Sequence, residues 1–253
     1  MEANRRERSI EDLLKHSFTL AGKNAWGITQ LLVVMYIIQV LIIIGVSKLG
    51  AYYLGKGVNA ASIIVVIGSV FIAFLIQSLS TGAILKLVDE KQKGNKFNLW
   101  KCIKYMIRKF PQLFGAMILM GIISTLTGFI ATLIYTFLGY YISTSGIVFS
   151  IFFGVLLTIV DVVLLSFIIP LIVKKDMNFI KAFIVGVKLA FTNGGDVIMK
   201  LIAFMILTGF IMGISGLLGL IPYAGYFIAL ILSEVALIIF EIGQLVIVKD
   251  YNI

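Results

Sequence analysis

Disulfides, histidine–cysteine metal sites and a charged surface are what this chain lacks. In 253 residues it has one cysteine, Cys102, and one histidine, His16. No disulfide can close within the chain, and no metal site of the zinc type can be assembled from these residues. Charged residues make up 13% of the sequence, against roughly 25% in a soluble domain. That is too little polar surface to face water on all sides. No HExxH, Gly-rich phosphate loop or lipid-phosphatase cluster is found, so the sequence offers no catalytic residues, no metal and no cofactor.

What is present is apolar: 60% hydrophobic residues and a mean hydropathy of +1.10. Ile, Leu, Val and Phe come in long runs without strict alternation, which fits spanning helices and not a transmembrane barrel. Six segments reach the roughly 20 residues a spanning helix needs: about Gly27–Val46, Ala61–Leu85, Gln112–Leu138, Ile147–Val173, Val197–Leu220 and Ala224–Val248. The first has no cleavage-type flank and is read as a retained helix, not a signal peptide.

The basic residues are distributed unequally. Nineteen Lys and Arg fall in the N-terminal segment, the second-to-third and fourth-to-fifth links and the C-terminal end, while Lys48 and Lys56 alone lie on the other side. The positive-inside rule then predicts a multi-pass protein of the cytoplasmic membrane with both termini in the cytoplasm. A basic face of that kind suits anionic lipid head groups. Because these charges flank spans, nucleic acid is excluded as a partner, and a protein partner stays unspecified.

A pattern repeats three times. "SIEDLLKHSFTLAGKN", "NLWKCIKYMIRKFP" and "NFIKAFIVGVKLAFTNGGD" each carry an apolar stripe at helical spacing and end in a breaker: Gly22–Asn24, Pro111 and Asn193–Gly195. Ser9 with Asp12 forms a capping box, and Asn178 is placed to cap the third segment. Each segment is expected to be an interfacial helix, followed by a spanning hairpin and a basic–acidic stop: "LKLVDE", "LIVKKD" and "LVIVKD". The expectation is an all-α polytopic membrane protein, one integral membrane domain over residues 1–253, with repeat units at about 9–90, 97–176 and 178–250.

Three segments, "SFTLAGKN", "FIIPLIVKKD" and "FIKAFIVGVKLAFTNGG", resemble the YciC-like bacterial six-span membrane proteins. They also resemble the membrane domain of some glycerophosphodiester phosphodiesterases. The resemblance implies fold and membrane location. It carries no catalytic residues, and no phosphodiesterase domain is present.

Three acids interrupt the apolar runs: Asp161 in the fourth span, and Glu234 and Glu241 in the sixth. A central carboxylate costs about 2.5–3.5 kcal/mol to insert, so it is expected to face protein or trapped water. Asp161 and Glu234 lie at matched distances from Lys174 and Lys249, with Gln39 near the same level. Glu241, Gln244 and Gln77 form a second polar tier. Two readings stay open: interhelical hydrogen bonding, or a binding site for a cation or cationic group. "GISG" at Gly213–Gly216 has the form of a rhomboid serine motif, but His16 is far from Ser215 in the topology, and close helix packing is the better reading. The expected role is non-enzymatic, membrane transport or binding of a lipid or amphiphile. A structural or partner-binding accessory is second and an intramembrane enzyme third.

Overall fold

The computed structural model describes residues 8–54, 60–96, 98–141, 143–221 and 224–251, with side chains left aside at many positions in 43–74, 138–151 and 224–227. The chain order is α1 (Ile10–Leu54), α2 (Ala60–Gln92), α3 (Leu99–Tyr141), α4 (Ser143–Leu165), α5 (Ile168–Lys175), α6 (Phe179–Thr192), α7 (Gly194–Gly219) and α8 (Ala224–Asp250). No strand occurs among the described residues. Among the described residues, five stretches are long and apolar enough to cross a membrane: Ile10–Ile42, Leu99–Phe137, Phe152–Lys175, Gly194–Gly219 and Ile228–Asp250. The expected second span coincides with α2, much of whose apolar half lies outside the described side chains. Arg5, Arg6 and Lys56, used in the charge count, also lie outside the described residues.

Two of the three expected interfacial helices are not separate elements. α1 runs for 45 residues straight through Gly22–Asn24, and α3 for 43 residues through Pro111. The physical reasons differ. A helical glycine costs only about 1 kcal/mol, and Asn24 turns its amide inward, donating to the Leu20 carbonyl at 2.7 Å. Pro111 frees the Ile107 carbonyl, but Ile107, Arg108 and Phe110 are exposed there, so the freed group is not sealed in the core. The third segment does stand apart as α6. Asn178 caps it, accepting from the Lys181 backbone N–H at 2.8 Å, and Asn193 leaves helical geometry at its end. The first capping pair also forms: the Asp12 N–H donates to Ser9 Oγ at 3.1 Å, and Ser9 Oγ to Asp12 at 3.0 Å.

The expected fourth span is broken instead. Pro170 has no N–H to offer the Ser166 carbonyl, and the helix opens at Ser166–Phe167 between α4 and α5. Ser166 Oγ turns back along its own helix and donates to the Val162 carbonyl. α5 then sits in the middle of the molecule, with Ile168 to Val173 all buried, packed by α2, α3, α6 and α8.

The closest helix pairs are α7 with α8, α3 with α4, and α1 with α2, and α1 meets α8. Where α7 crosses α8, a Cβ on Gly243 would run into the Phe204 ring. Where α3 crosses α6, one on Gly115 would lie 2.6 Å from Phe179. The buried core gathers toward the basic end, in Leu13, Ile84, Leu85, Leu87, Val88, Phe167 to Val173, Leu201 and Ile242 to Val248. Toward the other end the helices expose apolar residues such as Leu41, Phe129, Leu133, Phe152, Phe210 and Leu217. Side chains of that kind belong in a lipid environment.

Candidate functional site

Asp161 is one turn before the α4–α5 break, half-buried. It accepts from Ser124 Oγ at 2.7 Å and from Thr127 Oγ1 at 3.4 Å. Thr127 also donates to the Ile123 carbonyl at 3.0 Å, so its tie to Asp161 is the weaker one. Both donors lie on α3, three residues apart and hence on one helical face. A carboxylate inside an apolar helix is thus met by hydroxyls and not by an ammonium.

Ser124 also faces outward. Together with Ser78, Met117, Ile118, Met120, Gly121, Ile122, Thr125 and Leu126 it lines a groove of about 700 Å³ along α3 beside α2. The rim residues Ile118, Ile122 and Leu126 are exposed. Asp161 therefore stands one hydrogen bond behind the wall of a mostly apolar groove, and Ser78, Ser124 and Thr125 are that wall's polar residues.

The other acids are elsewhere. Glu234, half-buried on α8, is approached by the Tyr36 hydroxyl of α1. Glu241, two turns further along α8, accepts from Thr81 Oγ1 of α2 at 2.5 Å. Of the glutamines, Gln39 is half-buried on α1, Gln77 is exposed on α2 and Gln244 is buried on α8. The matched depth of Asp161 and Glu234 does not make them neighbours. α4 packs chiefly on α3 and α6, whereas α8 packs on α7 and α1, and each acid finds its hydroxyl partner on a different helix.

Ser215 is buried in the α7–α8 seam, donating to the Ala229 carbonyl at 2.5 Å and 2.7 Å from the Ser233 hydroxyl. It is engaged in joining two helices, as the glycines around it imply.

A polar cluster not anticipated from the sequence closes the basic end. Asp89 on α2, its side chain 1% exposed, bonds Lys174 at the end of α5 at 2.7 Å and Lys93 at 2.5 Å, with Lys86 at 3.9 Å. Burial pushes the Asp89 carboxyl up, but the ammonium bonds from Lys174 and Lys93 together outweigh it and hold the group below its usual range. Glu90 bonds Lys101 at 2.8 Å and Lys86 at 2.9 Å, and these bonds bring its carboxyl down to about 2. Lys109 pairs with Asp176 at 2.5 Å, a bond that lowers the Asp176 carboxyl as well. Lys200, 2% exposed, pairs with Asp196 and lies 5.2 Å from the centre of the Tyr251 ring. The signal was available: each expected stop joins a basic residue to an acidic one, and helices that end at one level bring such stops together.

Among the described residues no group of three or more His, Cys, Asp or Glu side chains is arranged to hold a metal ion. No family model matches the chain, and no curated protein or solved structure compared with it does either.

Proposed function

We propose that this is a six-span protein of the cytoplasmic membrane, both termini cytoplasmic, that binds or moves an amphiphile carrying a cationic group and performs no chemistry on it. The observation that carries this reading is the double role of Ser124: it lines the apolar groove and donates to Asp161 behind it. An acyl chain would lie along Ile118, Ile122 and Leu126, and the cationic head would be drawn to Asp161. Close pairing of α1 with α2, α3 with α4 and α7 with α8 supports three spanning hairpins, with α2 as the sixth span. Glu234–Tyr36 and Glu241–Thr81 serve in this scheme as tethers of α8 to α1 and α2.

The reading is tested by native mass spectrometry of the protein released from nanodiscs doped with a long-chain quaternary ammonium. An adduct retained by the native chain and lost in Asp161→Asn supports it. Equal retention by both overturns it.

A further inference from the structure

α6 is too short to cross a membrane and too apolar on its outer side for water. Its 14 residues extend about 21 Å at 1.5 Å each, short of the roughly 30 Å hydrocarbon layer. One side of the helix is buried through Ala182, Gly186, Leu189 and Ala190, with Gly186 against Phe167 and Leu171. The opposite side is not covered. At about 100° per residue, Ile180, Ile184 and Phe191 fall on a single ridge, and they are 56%, 59% and 72% exposed. Lys181 and Lys188, both exposed, share the flank next to that ridge. α3, which packs beside α6, adds exposed Ile107 and Trp100 with Lys104 and Arg108. The nearby acid Asp176 is taken up by Lys109, so it does not cancel the charge of this surface.

We infer that α6 lies in the head-group layer, its Ile180–Ile184–Phe191 ridge sunk to the acyl boundary and Lys181 and Lys188 binding anionic phospholipid head groups. The apolar ridge selects a bilayer as the occupant, and the lysines beside it select negative charge. Each ammonium has a four-carbon stem long enough to reach a phosphate while its backbone stays at the boundary. This surface is separate from the α3 groove and is independent of what the groove binds.

The experiment places one tryptophan on the ridge, Ile184→Trp, in a chain carrying Trp26→Phe and Trp100→Phe. Ile184 is exposed, so the larger side chain meets no core. The protein is reconstituted in phosphatidylcholine containing 30% phosphatidylglycerol, with bromine on the acyl chains of one lipid or the other. The expected result is quenching by brominated phosphatidylglycerol at least twofold above that predicted from its mole fraction. Lys181→Gln with Lys188→Gln should reduce it to the mole-fraction value. Quenching by both lipids in proportion to abundance in the unsubstituted-lysine chain overturns the head-group preference. Absence of quenching by either lipid overturns the placement, and would mean that a protein surface or water covers the ridge.

Discussion

Asp89 and Lys174 are 85 residues apart in the chain, yet their side chains meet at 2.7 Å. The bond fastens the end of α2 to the end of α5, the short helix at the centre of the bundle. Because Lys93 and Lys86 converge on the same carboxylate, Asp89→Asn leaves three ammonium groups around an uncharged amide. Breaking a fully buried pair costs about 3–5 kcal/mol. Here Lys93 is half in water, and about 2–3 kcal/mol is expected after solvent screening. Thermal unfolding in detergent checks it. Lys91→Gln, which alters an exposed neighbour, should leave the midpoint unchanged.

The same cluster sets an acid limit. Asp89 and Glu90 have lowered carboxyl values in the folded protein, so folding binds fewer protons than unfolding does. Their contribution to stability is complete above the unfolded values of 3.8 and 4.5 and is lost as pH falls through the folded ones, for Glu90 about 2. Stability should be flat in this respect above about pH 5.5 and fall steadily between about 4.5 and 2. Glu90→Gln should reduce the slope of that acid limb.

Topology is checked by cysteine labelling in a Cys102→Ala chain. Lys93 lies at the basic end of α2, and Lys48 toward the opposite end of α1; both are exposed. Lys93→Cys and Lys48→Cys should react with an impermeant maleimide from opposite faces of sealed vesicles, Lys93→Cys from the cytoplasmic face. Reaction of both from one face contradicts the proposed arrangement.

Gly243 gives α8 its close approach to α7, since a Cβ there would enter the Phe204 ring. Gly243→Ala should destabilise by about 1–3 kcal/mol, the usual range for overpacking. Gly243→Ala with Phe204→Leu should recover part of the loss. Gly22, which has open space around its Cβ direction, should tolerate alanine without loss.

Thr81 and Glu241 join α2 to α8 at 2.5 Å. Glu241→Gln keeps an acceptor for the Thr81 hydroxyl and should fold normally. Glu241→Leu leaves that hydroxyl, on a buried residue, without its interhelical partner, and should cost about 1–3 kcal/mol. The two variants are compared by unfolding in the same detergent.

Much of this architecture was legible because helices in lipid need long apolar runs, and the runs mark where they lie. The caps at Ser9 and Asn178 were legible too, since each is a local bond between side chain and backbone. Breakers were not. Glycine, asparagine and proline at positions 22–24 and 111 were read as stops, but the helices continue past them, while Pro170 opens the helix between α4 and α5. Depth is a one-dimensional property, and it placed Asp161 and Glu234 side by side. Which helix faces which is decided around the bundle axis, where a single sequence has no ruler. Hydroxyl residues inside the spans held the better clue. Ser124 and Thr127 share a face of α3, and Tyr36 and Thr81 lie in spans that meet α8. Acids without basic partners need such donors.

The most direct measurement is an equilibrium titration in nanodiscs with a fluorescent hexadecyl trimethylammonium probe and its uncharged alcohol analogue. The native chain should bind the cation at least tenfold tighter than the alcohol. Asp161→Asn, whose amide still accepts from Ser124, should fold normally and bind the two alike, the loss expected when one charged partner of about 1.5–3 kcal/mol is removed. Equal affinity of the native chain for cation and alcohol, or an Asp161→Asn chain that keeps the preference, would contradict the assignment of Asp161 and the α3 groove as the binding site.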